Sequence, residues 1–393
     1  MKISTLLIYS PGGSRRDIFI QTYLQSLISK IDNSLYKINK ASNTKLQKVI
    51  SSLINPYESL SYINDWIDAF VKHKRLDITL LNIANRNHAN KILNQNIKDF
   101  ELIIFSHSVM GDNIELLSPF HNQILRRKAK LISFIGNEYD LIPEKKKVLK
   151  DFKVDYLASQ LPKDAMDFLY AEFPNRISAP HALNESLYCP PKAPKIYDFV
   201  FNGAKFGKFI GDEDRTKIIN KISALTSHCY NKINIGKNVN LQRHLWINLL
   251  QKGKATIGAE SGTNFLDKNG ILIQRAKTYE IENPGCSLDE IIDNVYRNCE
   301  LEFISGKAMS SRHMEPIGTK TCQILLEGDY NGILKPNEHY IQIKKDFSNV
   351  GDALEIYFND SKRHEIIEKA FTFALENHTY KHRIDSILDR IEL

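Results

Sequence analysis

Short apolar runs recur along the whole chain, each followed by a longer polar or amphipathic stretch, and this alternation constrains the fold more than any other feature. In the first half, Thr5 to Tyr9, Ile78 to Ile83, Leu102 to Phe105, Leu131 to Ile135 and Val154 to Leu157 are predicted strands. Between them, Asp17 to Ile31, Leu46 to Lys72, a short segment around His88 to Leu93, and Leu117 to Arg127 space their apolar residues as helices do. Alternation of this kind predicts βα units and a mostly parallel sheet. Pro11-Gly12-Gly13-Ser14 reads as a flexible turn into a helix, not as a dinucleotide fingerprint.

At 393 residues the chain is too long for one ordinary core and predicts two domains. Pro180-His181-Ala182 and Pro190-Pro191-Lys-Ala-Pro194 interrupt both periodicities, so a linker falls there. The expected division is residues 1–190, 191–376 and a last helix, 377–393, that crosses back onto the first domain. The rhythm resumes with the strand Tyr197 to Phe201, helix Asp214 to Leu225, strand Tyr230 to Ile235, helix Leu241 to Gln251 and strand Ala255 to Ile257. After a less regular stretch from Glu260 to Asn283, Ser287 and Glu290 form a capping box for a helix running to about Asn298. Strands at Leu301 to Ile304 and Thr321 to Leu326 follow, then helices from His364 to Asn377 and from Tyr380 to Ile391.

Hydrophobic residues make up 42% and charged residues 25%, the balance of a globular chain. No run reaches the roughly 18 apolar residues of a membrane helix, and Ile3 to Ile8 reads as a buried strand rather than a secretion signal. Cys189, Cys229, Cys286, Cys299 and Cys322 are odd in number and widely spaced, as reduced structural thiols of a cytoplasmic protein would be. The net charge of +7 favours an anionic ligand or peripheral contact with an anionic membrane. Its densest patches, Arg126-Arg127-Lys128-Lys130 and Lys145-Lys146-Lys147, lack the aromatic interleaving of a nucleic-acid surface.

The stretch Met309 to Lys320, followed by the apolar run Cys322 to Leu326 and by Glu327 to Gly332, reads as a loop entering a helix, a buried strand and a tight glycine turn. It is expected to set Arg312, His313, Glu315 and Lys320 around the carboxyl edge of a parallel sheet, where open α/β folds bind ligands. Arg312-His-Met-Glu315, Gly318, Tyr330-Asn-Gly332 and His378-Thr-Tyr380 with Arg383 occur in the order found in the bacterial group 1 glycosyltransferases and spore-maturation-like proteins. Residues 195 to 385 resemble that family, which implies the α/β GT-B architecture: two Rossmann-like domains facing across a cleft.

The resemblance implies transfer of a sugar from a nucleotide-sugar donor to a hydroxyl of a glycan or lipid-linked acceptor in bacterial polysaccharide or glycoconjugate synthesis. Arg312 and Lys320 would neutralise the leaving diphosphate, and Glu315 would bind donor hydroxyls. Lys205 and Lys208 occupy the place of basic phosphate ligands, with Arg215 nearby. Glu260, in Gly258-Ala-Glu-Ser-Gly262, would bind the donor or order its loop. Lys307 stands where many retaining relatives carry the first of two glutamates, so the stereochemical outcome is open. For the base, His107 after the strand ending at Phe105 competes with Glu138 and Asp140 in Gly136-Asn-Glu-Tyr-Asp140. Neither a metal-ligand grouping nor a resident cofactor is expected. A nucleotide-sugar epimerase and a noncatalytic sugar-nucleotide or glycan-binding protein are the competing functions.

Overall fold

The computed structural model describes residues 2–10, 60–236 and 241–393. The turn Pro11 to Ser14, the helix Asp17 to Ile31 and the start of the Leu46 to Lys72 segment therefore lie outside the described residues. The chain divides into two compact units, Met1–Ala158 with Leu393, and Ser159–Glu392.

Strands β1 (Ile3–Tyr9), β2 (Leu76–Asn82), β3 (Leu102–Phe105), β4 (Lys130–Phe134), β5 (Tyr156–Ser159) and β6 (Arg176–Ser178) form one sheet in the order β2-β1-β3-β4-β5-β6. The β1–β2, β1–β3, β3–β4 and β4–β5 pairings are all parallel. Leu6, Leu7, Ile8, Ile103, Phe105 and Leu131 are fully buried, which is why these runs lack polar alternation: helices cover both faces. The helices are α1 (Ser61–Lys72), α2 (Arg86–Gln95), α3 (His121–Leu125), α4 (Ile142–Asp151) and α5 (Lys163–Leu169). The expected Leu117 to Arg127 helix is cut to α3 because Pro119 leads it in through short 3₁₀ turns.

The second sheet contains β7 (Tyr197–Ala204), β8 (Lys232–Gly236), β9 (Gly253–Gly258), β12 (Cys322–Leu326) and β13 (Ile341–Ile343), ordered β13-β12-β9-β7-β8 and parallel throughout. Successive β7 side chains enter opposite layers. Phe199 and Phe201 pack with Ile218, Ile219 and Ile222 of α6 (Asp214–Leu225) and with Ala353 and Tyr357 of α11. Val200 packs with Trp246 and Leu250 of α7 (Arg243–Lys252), Met314 and Ile317 of α10, and Ala370 and Ala374 of α12. Here α10 spans Ser311–Gly318, α11 Val350–Phe358 and α12 Asp360–Asn377. The final helix, α13 (Tyr380–Arg390), is tied within this unit: Leu183 N donates to His378 O at 2.8 Å, and Tyr380 N donates to Leu183 O at 3.1 Å.

Between β9 and β12 the chain builds a third cluster from the antiparallel pair β10 (Leu266–Asp267) and β11 (Phe303–Ile304) and helices α8 (Ile271–Glu282) and α9 (Leu288–Ile291). The Ser287–Glu290 capping box forms, but the helix continues beyond Ile291 as a π-turn segment, Ile292–Arg297. Helix α8 falls in the stretch read as irregular. Its start is capped by Asp267, whose carboxylate accepts from Ile271 N and Leu272 N at 3.0 and 2.9 Å, a signal four to five residues from the helix it serves.

In the second sheet β7 lies between β8 and β9, so strand addition changes direction at β7. The crevice beyond the carboxyl ends of β7 and β9 is the switch point at which such sheets accept ligands.

Candidate functional site

Two arginines stand at that switch point. Arg215, in the first turn of α6, donates from Nη2 to Ala204 O at the end of β7, and its guanidinium lies 3.8 Å from the Phe206 ring centroid. Arg312, in the first turn of α10, donates from Nη1 to Asn202 O at 2.9 Å and lies 4.2 Å over the Trp246 ring. Burial first, then the neighbouring Arg312 charge, lowers the Arg215 pKa to about 10. Neither guanidinium makes an ion pair with a described residue. Carbonyls and aromatic faces hold two like charges near each other, a repulsion that the Asp212 charge offsets at Arg215 only in part and that a bound anion would relieve further.

The floor beside them is built from the loops after β9 and β12. Glu260 accepts from Tyr330 N at 2.7 Å, and burial raises its pKa. A Cβ at Gly328 would sit 2.5 Å from the Glu260 carboxylate, so any larger residue there forces this hydrogen-bonded side chain to move. We expect Gly328→Ala to cost about 1–3 kcal/mol by overpacking, with the loss partly recovered in Gly328→Ala/Glu260→Ala. Chemical denaturation of the two single variants and the double variant measures the coupling.

Lys307 is buried, with its ammonium 2.8 Å from Asp212 Oδ2 and 3.7 Å from Asp214 Oδ2, and it donates to Glu260 O at 3.3 Å. Burial pushes the Asp212 carboxyl up in spite of this lysine. Lys307 is thus a cation that neutralises the acidic entry to α6.

The four residues read together on Met309 to Lys320 separate in space. Helix α10 runs against the strand direction, so its first turn is at the carboxyl edge and its end at the amino edge, about 12 Å away at 1.5 Å per residue. Lys320 precedes β12 at the amino edge, where it pairs with Glu368 of α12 at 2.6 Å and lies over Phe371. His313 is at the carboxyl edge but is 2% exposed. Its Nδ1 accepts from Ser310 N at 3.0 Å, which puts the ring proton on Nε2, 3.1 Å from Ala259 O. Burial lowers its pKa to about 4, so it bridges two loops as a neutral ring.

Glu315, one turn after Arg312 on the same helix face, is also buried and accepts from Trp246 Nε1. The indole therefore joins Glu315 to Arg312. Trp246 escaped the sequence reading because it was one apolar position in an amphipathic helix; its pairing with α10 is purely tertiary. Gly318 lets α10 end against the 183–188 segment, since a Cβ there would lie 2.4 Å from Tyr188 O.

On the β7–α6 connection, Lys205 and Lys208 are both exposed, and Lys208 donates to Cys286 O at 2.6 Å. Asn331, in the left-handed turn after β12, accepts from Met309 N at 2.7 Å and donates to Gln160 O at 2.9 Å. Gln160 Oε1 also bonds His181 Nε2 at 2.6 Å, and burial lowers the His181 pKa to about 3.

In the first unit the strand-end candidates differ in access. His107 is 3% exposed, with Trp66 and Phe134 ring centroids 5.6 and 5.3 Å away. Glu138 is buried, while Asp140 is half-exposed and accepts from Leu141 N at 3.0 Å. Lys145, part of a run read as a basic patch, points inward instead: its ammonium donates to Gly136 O, Asn137 O and Asp140 O at 2.7, 2.8 and 2.7 Å. Burial lowers its pKa to about 8. Its helical neighbour Lys147 stays exposed, because adjacent residues on a helix face directions about 100° apart.

Among the described residues no group of three His, Cys, Asp or Glu could hold a metal ion, and no helix is long and apolar enough to cross a membrane.

Two parallel sheets flanked by helices, with helices at the carboxyl terminus, give the chain the GT-B architecture of two Rossmann-like domains. Two solved structures share that fold over 100% of this chain and 100% of their own, each at a TM-score of 0.50. One is Anabaena HepE in complex with UDP and glucose, at 6% identity. The other is an α-glucosyltransferase in complex with UDP and a 13-mer DNA containing a central A:G mismatch, at 9% identity. No protein-family profile and no curated protein sequence matches the chain.

Proposed function

We propose that the protein is a glycosyltransferase that moves a sugar from a nucleotide-activated donor to a hydroxyl of a glycan or lipid-linked acceptor in surface polysaccharide or glycoconjugate synthesis. Residues 191–376 serve as the donor domain and residues 1–190 as the acceptor-side domain. The observation that carries this reading is the Arg215–Arg312 pair at the β7 switch point, two cations without an ion-pair partner among the described residues.

Negative charge develops on the leaving diphosphate during transfer, and fixed cations stabilise it more in the transition state than in the ground state. Arg312 and Arg215 take that role, with exposed Lys205 assisting. Lys320, at the far end of α10, has none. Glu315 acts through Trp246 by fixing the indole on which Arg312 rests. Asp140 is the base, since it keeps solvent access that His107 and Glu138 lack.

Both similar GT-B structures hold UDP, which makes UDP the first probe. Calorimetric titration is expected to show saturable UDP binding, weakened tenfold or more in Arg215→Ala/Arg312→Ala. Equal binding by the wild type and this folded double variant would remove the proposal. Glu315→Gln retains an oxygen that accepts from Trp246, so it should keep more than half of the wild-type transfer rate, whereas Glu315→Ala should lose roughly tenfold. A large loss in Glu315→Gln would instead place the carboxylate on the donor.

The burial of His107 and Glu138 favours one second reading, a sugar-nucleotide-binding protein without turnover. In that case UDP binds, but Asp140→Asn changes no rate because there is none to change.

A further inference from the structure

The second unit contains a cavity of about 510 Å³ whose lining includes Lys163, Asp164, Asp329, His378, Arg383 and Ser386. Ligand pockets commonly span roughly 300–1,000 Å³. None of the residues that build the Arg215–Arg312 pair lines it.

Its most demanding group is Arg383. The guanidinium donates from Nε to Pro180 O at 3.3 Å and from Nη2 to His378 Nδ1 at 2.7 Å. It pairs with no carboxylate among the described residues, and burial lowers its pKa. A guanidinium cannot accept a hydrogen bond, so His378 Nδ1 accepts and the neutral ring carries its proton on Nε2. Burial, with the Arg383 charge, lowers the His378 pKa to about 4, which keeps the ring neutral. One wall therefore combines an uncompensated cation with an imidazole donor, a pairing suited to a planar or tetrahedral anion.

The rim has the opposite character. Asp164, Asp329 and Ser386 are exposed and line the same space, supplying acceptors and a hydroxyl. Lys163 is already paired with Asp167, so it does not supply the unmet charge. Among the described residues no Phe, Tyr or Trp lines the cavity, so none of them offers the stacking surface a nucleobase would use.

We propose that this cavity binds an anionic saccharide, a hydroxylated ring bearing one carboxylate or phosphate, with Arg383 and His378 on the anion and the rim acids on ring hydroxyls. The site does not depend on the donor reading.

Calorimetric titration of the full chain with glucuronate, glucose 6-phosphate and glucose tests it. At least one anionic sugar should bind saturably, and roughly tenfold or more tightly than glucose. Glucuronate alone would identify a carboxylate ligand, and glucose 6-phosphate alone a phosphate; both outcomes support the site. Arg383→Gln should abolish the preference for the charged sugar. Ser386→Trp, an exposed rim change that leaves Arg383 in place, should weaken binding tenfold or more while UDP binding is unchanged. Absence of saturable binding by either anionic sugar, or unaltered binding in Ser386→Trp, overturns the proposal. UDP binding by the wild type reports on the donor reading alone, so the two fail separately.

Discussion

On the proposed glycosyltransferase reading, replacing Arg312 with alanine is expected to lower the rate of sugar transfer by about 10²–10³-fold, the range expected when one fixed donor to developing negative charge is removed. Its guanidinium is placed by a 2.9 Å bond to Asn202 O and by the Trp246 face, so it is held at the carboxyl edge before any ligand arrives. Preorganised groups of this kind cost no rearrangement during reaction. Lysine should recover only part of the rate, because an ammonium cannot keep both the carbonyl bond and the flat stack on Trp246. Lys320→Ala provides the contrast. It breaks the pair with Glu368 at the amino edge and should leave the rate within twofold of wild type. Initial-rate measurements on all three variants decide the matter, and an Arg312→Ala enzyme of undiminished kcat/KM would exclude this arginine from catalysis.

The largest expected loss of stability comes from Lys145→Met. The methionine fits the apolar part of the space but abandons Gly136 O, Asn137 O and Asp140 O inside the loop after β4. Leaving buried acceptors unmet should cost about 2–5 kcal/mol in total. The pH dependence has a defined sign. The lysine has a folded pKa of about 8 against its ordinary 10.5. Between these values the unfolded chain binds the additional proton, so wild-type stability gains from rising pH in this window. The gain is absent below about pH 8 and complete above 10.5, and its upper size is ~3 kcal/mol at 1.36 kcal/mol per pH unit. Lys145→Met lacks it, so the gap between wild type and variant should widen as pH rises from 8 to 10.5. Urea melts across that range measure the gap, and a constant gap would deny Lys145 a buried, titrating role.

The two edges of α10 explain how much of the site was readable from sequence. Resemblance and residue type singled out Arg312 and Arg215 as cations to follow into the fold, where both sit beside the end of β7. The same reading grouped Lys320 with Arg312 because it followed the chain and lacked the direction of the helix. Glu315 looked available for hydroxyls, yet a spacing of three residues puts it on the Arg312 face, where Trp246 takes its carboxylate. His313 likewise spends both ring nitrogens on the loops it joins.

Elements show the same division. Leu102–Phe105 and Asp214–Leu225 occur at the expected boundaries because their apolar periodicity is uninterrupted. Helix α8 was hidden because its cap, Asp267, belongs to the preceding short strand. The three-residue β13 was hidden because so short a run has no period of its own, and it gains its identity by pairing with β12.

By itself, the sequence determined the alternating α/β units and the residues available for anion chemistry, since apolar spacing and side-chain charge are local properties. The tertiary structure decided which charges meet at the β7 edge, which are used as internal ties and which line the Arg383 cavity. Those outcomes depend on strand order, helix direction and partners distant along the chain, for which no local pattern exists.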